Sequence, residues 1–303
     1  MTEEKEHRSG FINIIGQPNV GKSTLMNALV GERMSIITSK PQTTRHRIIG
    51  IVSGADYQLV FSDTPGIIDE PAYKMQEAMN RFVKGTFEDA DLMILVTEVG
   101  EKYPEDHPLL QRLQNIQPPL FLVINKIDLG EEQALLDLIA WWQERLNFTA
   151  VIPISALHRK GTQSLLDLVL QHCPSGPAYY PKDQLTDKPE RFFISEIIRE
   201  KILLRYQQEI PYSCEVAIES FKESQTKAGQ PLIRISALIF VARKSQKAII
   251  IGRQGAAIKK LGTDARKSIE TFLESKVFLE LHVKIRENWR DDERSLRRFG
   301  YEG

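Results

Sequence analysis

Apolar and polar positions alternate in blocks through the first half of the chain. Runs 11–16 (FINIIG), 57–63 (YQLVFSD), 91–98 (DLMILVTE), 120–126 (LFLVINK) and 150–155 (AVIPIS) are almost continuously apolar, the pattern of strands buried on both faces of a parallel sheet. Between them, 22–30, about 72–88, 105–116, 131–146 and 162–172 carry apolar residues at helical spacing. Strands alternating with helices predict a doubly wound α/β unit. The stretch 45–54 (RHRIIGIVSG) adds a strand directly before 57–63, and the turn 53–56 is short enough for a hairpin, so this pair is expected to be antiparallel. In 131–146 the Trp141-Trp142 pair places one indole toward the sheet and leaves the other partly exposed, which is core packing and not a cofactor box.

The pattern changes after residue 172. Residues 173–190 (CPSGPAYYPKDQLTDKPE) hold four prolines and few aliphatic side chains, so they read as a linker between a first unit at 1–172 and a second at 191–303. Beyond it an amphipathic helix runs from Phe192 to about Gln208 and is expected to stop at Pro211. Strands 213–221 and 231–243 follow, joined by a polar turn at Lys227-Ala228-Gly229. Helical stretches 246–251 and 256–274 come next, split by a glycine-rich turn, then a last strand 277–285. This is a helix–strand–strand–helix–helix–strand unit of the α+β class. A final charged helix is expected over Trp289–Arg298, packing and sharing in polyanion contact.

The overall charge is zero, with 40 basic and 40 acidic side chains, which excludes a uniformly basic or acidic protein. The halves differ: residues 1–180 hold 16 basic and 22 acidic groups, residues 181–303 hold 24 and 18, and Arg243–Lys267 holds eight basic against Asp264 alone. A polyanion-binding second unit gives that asymmetry, and so does a solvated helix face. Two cysteines, Cys173 and Cys214, are too few for a disulfide framework or a zinc cluster and fit a reducing cytosol. The N-terminus MTEEKEHRSG is charged where a signal peptide needs an apolar run, and no stretch reaches the ~20 apolar residues of a membrane span. A cytoplasmic chain is expected.

Chemistry enters at the strand ends. Gly16-Gln17-Pro18-Asn19-Val20-Gly21-Lys22-Ser23 is GxxxxGKS between the first strand and the first helix, with Thr24 following. Its glycines let backbone N–H groups curl round a phosphate at a helix N-terminus, Lys22 bridges β- and γ-phosphates, and the Ser23 hydroxyl ligates Mg²⁺. Asp63-Thr64-Pro65-Gly66 ends the next apolar strand; Asp63 is placed to hold Mg²⁺ through water and Gly66 to offer an N–H to the γ-phosphate. Asn125-Lys126-Ile127-Asp128 ends another. The Asp128 carboxylate can accept from the N1–H and amine of guanine, a pair that adenine lacks, which argues against an ATP-dependent kinase. Asn125 would tie this loop to the phosphate loop, Lys126 would cover the base, and Ser155-Ala156-Leu157 would close the pocket through backbone contacts. Four motifs in order, each at a strand end, predict GTP or GDP with Mg²⁺ as ligands.

In the second half, Ile249-Ile250-Ile251-Gly252-Arg253-Gln254-Gly255-Ala256-Ala257-Ile258-Lys259-Lys260 fits the KH signature of an apolar helix end, a GxxG loop and a second helix. Gly252 and Gly255 would admit a phosphate to the backbone. Arg253, Lys259 and Lys260 would supply charge beside Gln254, and Ile251 and Ile258 would offer aliphatic platforms for bases. A helix–strand pair ahead of this core corresponds to the type II arrangement.

From Phe11 to about Gly300 these motifs resemble the Era family of translation-associated GTPases. The resemblance implies a P-loop GTPase domain with a mixed, mostly parallel sheet, followed by a type II KH domain. It further implies binding to the 3′ end of small-subunit (16S) ribosomal RNA, assembly of the 30S subunit, and loose peripheral contact with the inner membrane; a monomer is expected. Pro41–Arg47 is similar to the family's switch I, so that Thr44 closes on Mg²⁺ and the γ-phosphate, with Thr43 as the alternative and His46 a loop or RNA-side residue. Asn19 matches the asparagine that ligates K⁺ in related GTPases, or else shapes the loop by a hydrogen bond. Lys22, Thr44, Gly66 and Asn19 are thereby the catalytic candidates. Ile67 stands where Ras-like enzymes carry a water-orienting glutamine, so slow intrinsic hydrolysis is expected. A tRNA-modification GTPase, close in its first domain, would carry other domains in place of a KH module.

Overall fold

The computed structural model describes residues 6–38, 40–68, 70–226 and 228–301; the charged residues 1–5 and Lys227 of the polar turn lie outside the described residues. The first unit is built on strands β1 (Arg8–Ile15), β2 (Ile48–Ser53), β3 (Tyr57–Asp63), β4 (Leu92–Glu98), β5 (Leu120–Asn125) and β6 (Ala150–Pro153), in spatial order β2-β3-β1-β4-β5-β6. All neighbours are parallel except the β2–β3 hairpin, as the short turn predicts. Helices α1 (Lys22–Val30), α2 (Lys74–Gly85), α3 (Pro108–Leu113), α4 (Glu132–Gln143) and α5 (Thr162–His172) cover the two faces. Alternate strand residues feed two cores, which is why the strands read as unbroken apolar runs. Ile94 and Val96 pack with α1 and α5, whereas Met93 and Leu95 pack with α3 and α4. Trp142 is buried in the second core, with Trp141 set edge-on against it at 5.0 Å.

Helices α2 and α3 are shorter than their apolar periodicity. Tyr73 is extended and starts α2 late, and His107 starts α3 by accepting the Leu109 N–H at Nδ1, with Pro108 at the first helical position.

The second unit holds α6 (Glu190–Arg205), α7 (Ile210–Ser213), β7 (Glu215–Gln225), β8 (Pro231–Val241), α8 (Lys244–Ile251), α9 (Ala256–Leu273), β9 (Val277–Ile285) and α10 (Glu293–Arg298). β7 and β8 are antiparallel, β8 and β9 parallel. Ile198 and Ile202 of α6 and Leu261 and Ile269 of α9 meet Ile235 and Ile239 of β8 in one core. Three expectations are corrected. The first helix ends at Arg205 and Pro211 sits inside the separate turn α7, where a first-turn proline loses no hydrogen bond. β8 stops at Val241 because Gln246 Oε1 accepts from the Ala242 and Arg243 N–H groups and starts α8 at Lys244. The terminal helix begins at Glu293, capped by Asp292, and not at Trp289.

Residues 174–185 run along the first sheet. Pro174 O accepts from Ser9 N, Leu185 O accepts from Ile51 N on the outer edge of β2, and buried Gln58 bonds Tyr179 and Tyr180. This strap leaves the second unit against the first, with Met75 and Met79 of α2 packed on Trp289, Leu296 and Tyr301. The stretch after β9 is therefore packing between units.

Candidate nucleotide and RNA sites

The loops after β1, β3, β5 and β6 emerge at the carboxyl edge of the sheet, where doubly wound folds bind ligands. They surround a cleft of about 540 Å³ lined by Pro18, Asn19, Gly21, Lys22, Ser23, Thr24, Thr44, Thr64, Gly66, Asn125, Lys126, Asp128, Ser155 and Leu157. Ile36, Ile37, Thr38 and Lys40 also line it; they carry no motif that marks them in the sequence.

The phosphate loop is conformationally committed. Gly16 has φ 145° and Gly21 φ 99°, and a Cβ on either would lie 2.3 Å from Val96 O or 2.2 Å from Asn125 Nδ2. Only glycine fits there. Lys22 is buried and its ammonium donates to the carbonyls of Gly16 (3.0 Å) and Gln17 (2.9 Å), which curls the loop round the charge. Burial pushes its pKa down to about 8, against the pull of Asp63 and Glu101. The Gln17 side chain turns away to His107, 2.9 Å between Nε2 atoms, and Val20 is part of the core, so both act through their backbone.

Ser23, Thr44 and Asp63 come together although 21 and 40 positions separate the last two from the first. Ser23 Oγ donates to Asp63 Oδ2 at 2.7 Å and lies 2.9 Å from Thr44 Oγ1, which is 3.4 Å from Asp63 Oδ2. Thr43 Oγ1 instead donates to Lys40 O at 2.6 Å and lies 2.8 Å from Thr38 Oγ1. Both threonines line the cleft, but the Thr44 hydroxyl, not that of Thr43, meets Ser23 and Asp63. Burial raises the Asp63 pKa against the neighbouring Lys22 charge, and Asp63 Oδ1 is buried with no hydrogen-bond partner. An orphaned carboxylate oxygen beside two hydroxyls is an all-oxygen donor set that fits a hard, octahedral dication such as Mg²⁺. Among the described residues no cluster of three His, Cys, Asp or Glu could hold a metal unaided. Such an ion here would need phosphate oxygens as further ligands.

The base side is stitched by Asn125. Its amide donates to Val20 O (2.9 Å) and its carbonyl accepts from Ala156 N (2.9 Å), joining three loops through one buried side chain. Lys126, at φ 61°, donates to Asn19 O at 2.8 Å and pairs with Glu98. Ile127 N donates to Ile154 O, which holds the loop against β6. Ser155 beside Asp128 holds that carboxyl below the usual carboxylate range, ready to accept. Gly66 packs on Pro18, and Pro65 leads into Ile67, which turns into the apolar core beside β4 and offers no acceptor.

In the second unit, Gly252 (φ 71°) and Gly255 (φ 77°) bracket a single tight turn between α8 and α9, with Gln254 also left-handed at φ 51°. Arg253, Gln254, Lys259 and Lys260 are exposed, and Ile251 and Ile258 are half-buried. The two isoleucines line a groove of about 650 Å³ with Leu281 and Val283 of β9, flanked by Lys247 and Lys284. Lys247 lies within the basic window, and Lys284 stands 3.6 Å from Glu219 on the same groove; neither was singled out by the motif. His46 is not on this side: its ring packs 4.6 Å from Tyr301 and 5.6 Å from Phe192, and burial lowers its pKa.

Comparison with known proteins agrees with this geometry. A family model described as 50S ribosome-binding GTPase matches residues 11–126, and a KH-domain model matches residues 209–290. GTPase Era of Syntrophus aciditrophicus is 48% identical over 295 residues, covering 97% of this chain and 95% of that protein. A variant of Aquifex aeolicus Era bound to GDP·AlF4⁻ has a TM-score of 0.90 at 35% identity, covering 98% of this chain and all of that one. Era in complex with MgGDPNP and nucleotides 1506–1542 of 16S ribosomal RNA has a TM-score of 0.92, also at 35% identity and with the same coverage. With its nucleotide cleft, its GxxG turn and a relative matched along nearly the whole length of both chains, the chain belongs to the Era family of GTPases.

Proposed function

We propose that this chain is a GTP-hydrolysing switch that grips the 3′ end of 16S ribosomal RNA and assists assembly of the 30S subunit. The observation that carries the reading is the match to the RNA-bound Era complex, which runs through both units at once. Mg²⁺, when bound, neutralises charge developing between the β- and γ-phosphates. Ser23, Thr44 and the Asp63 carboxylate would hold it. The Lys22 ammonium exchanges its two carbonyl partners for phosphate oxygens, and Gly66 offers its N–H to the γ-phosphate. Asp128 reads the guanine edge. Ile67 cannot orient a water, so intrinsic turnover is slow, and Asn19, which lines the cleft at φ 70°, would be the residue that brings K⁺ to the phosphates. The GxxG turn takes about four nucleotides against its backbone, with Ile251 and Ile258 beneath the bases.

A monomer working in the cytoplasm, with loose contact at the inner face of the membrane, completes the reading. The family likeness suggests the membrane contact, and the sparse cysteines suggest the cytoplasm. Among the described residues no helix is long and apolar enough to cross a membrane. Crosslinking in cells followed by sequencing of the attached RNA tests the RNA assignment. Reads concentrated at the 3′ end of the small-subunit RNA are expected, and reads concentrated on tRNA or messenger RNA would overturn it.

A further inference from the structure

Thr44 is bracketed by two arginine contacts that cross to the RNA-binding unit. On one side, the Thr43 carbonyl accepts from Arg199 Nη2 of α6 at 2.5 Å. Arg199 is itself gripped by Glu196, Nε to Oε1 at 2.7 Å and Nη2 to Oε2 at 2.5 Å, and both side chains are buried. On the other side, the Arg45 side chain enters the second unit. Its Nη1 donates to Cys214 O at 2.7 Å and meets Glu215 Oε2 at 3.2 Å, while Nη2 donates to Pro211 O at 3.0 Å. Glu215 Oε2 also accepts from the Tyr301 hydroxyl at 2.7 Å. Further out, the Lys40 ammonium donates to the carbonyls of Leu203 and Tyr206 at the end of α6.

Three consecutive residues thus divide the work: the outer two are tied to the second unit and the middle one faces Ser23 and Asp63. The contacts are costly to abandon. Burial disfavours every charge here, yet Arg199 draws Glu196 below the usual carboxylate range, and Glu215 faces the buried Arg45 guanidinium at 3.2 Å. Releasing the loop would strand those charges in a low-dielectric setting. Arg199 Nη1 is left buried with no partner, a cost that a pair selected for stability alone would avoid.

We propose that Arg199 and Arg45 are positioning residues for GTP hydrolysis, holding Thr44 in register with Ser23 and Asp63, so that the RNA-binding unit completes the catalytic switch of its neighbour. This rests on the GTPase reading of the cleft. A shift of the Thr43 carbonyl carries Thr44 with it, and about 1 Å of misplacement costs on the order of 10²-fold in rate.

The test uses the full-length chain, with steady-state GTP hydrolysis, GDP affinity and thermal unfolding measured side by side. Arg199→Gln is expected to lower kcat about tenfold or more, with GDP affinity within about twofold, because GDP has no γ-phosphate for Thr44 to close on. Arg199→Lys restores part of the rate through its remaining donor, and Arg45→Lys follows the same pattern. In a Thr44→Ala background Arg199→Gln should slow the enzyme no further, since its effect passes through Thr44. If Arg199→Gln leaves Glu196 stranded and the chain unfolds, the double variant Glu196→Gln/Arg199→Gln removes both charges and should show the same loss of kcat. An equal rate loss in both backgrounds, or an unchanged kcat, overturns the proposal. A Thr44→Ala variant as fast as the parent overturns the reading of the cleft itself, and this proposal with it.

Discussion

The loops 16–23 and 252–255 each place glycines before a helix, but their surroundings differ. A Cβ on Gly16 or Gly21 would strike a carbonyl or the Asn125 amide at under 2.4 Å, whereas Gly255 has open space within 4 Å. The first loop wraps a buried lysine and is sewn by Asn125 to the base-reading loop; the second is a single turn with Arg253 and Gln254 exposed. The first suits a ligand of one shape, for which preorganisation lowers the cost of binding. The second suits a flexible polyanion whose bases vary and whose charge supplies much of the affinity.

The sharpest way to break this comparison is at the base pocket. Asp128→Asn turns an acceptor into a donor and should weaken GTP binding by on the order of 10⁴-fold, the scale on which a site built for hydrogen bonds rejects a mismatched partner. Xanthosine triphosphate should then bind better than GTP, because its carbonyl accepts where guanine's amine donated. A competition assay with both nucleotides decides it; a variant that still prefers GTP would remove Asp128 from base reading.

The matching experiment on the other loop is Arg253→Asp with Gln254→Asp. Both side chains are exposed, so the turn keeps its glycines and the fold is expected to survive. Two carboxylates at the approach to phosphate should lower affinity for a short oligonucleotide by on the order of 10²-fold at moderate salt, while GTP affinity stays within about twofold. Fluorescence anisotropy at stated ionic strength measures the first and nucleotide titration the second. Undiminished RNA binding would move the RNA site off the groove between α8, α9 and β9.

A smaller effect separates the loops by cation. Hydrolysis should rise up to about tenfold when K⁺ replaces Na⁺, on the scale of partial compensation for an absent arginine finger, and Asn19→Ala should flatten that response. RNA affinity, which senses ionic strength and not ion size, should be the same in either salt. Equal hydrolysis in the two salts would leave Asn19 as a loop-shaping residue.

Much of this was legible in the sequence, and the exceptions share a cause. The four nucleotide motifs could be placed because each needs fixed residue types at a strand end, and strand ends follow from apolar runs. The residues alone do not choose between Thr43 and Thr44, two threonines in one polar loop; the family resemblance favours Thr44, and the fold shows its hydroxyl facing Asp63. The bond from Arg45 to Glu215 spans 170 positions, and nothing local in either residue marks it. Gln58 offers no hint that it will hold the strap at Tyr179 and Tyr180, and Lys284 reaches the groove from the exposed face of β9, opposite Leu281 and Val283. Long-range docking of charged side chains leaves little local periodicity to read.

The smallest predicted effect tests the openness of the second loop directly. Gly255 sits at φ 77° at the start of α9, and a Cβ there would meet nothing within 4 Å. Gly255→Ala therefore carries only the left-handed backbone penalty, about 1 kcal/mol, seen as a modest shift in the urea midpoint. Gly255→Asn should cost a few tenths, because asparagine tolerates that conformation. RNA affinity should stay within about threefold for both, since the exposed Arg253, Lys259 and Lys260 are unchanged. Gly252 is the contrast: at φ 71° and ψ 176° it occupies a region open essentially to glycine alone, and its Cβ would press on Ala257 Cβ at 2.6 Å. Gly252→Ala should lose clearly more stability and RNA affinity than Gly255→Ala. Equal losses at the two glycines would mean that the turn is as tightly built as the phosphate loop, and the contrast between the two loops would fall.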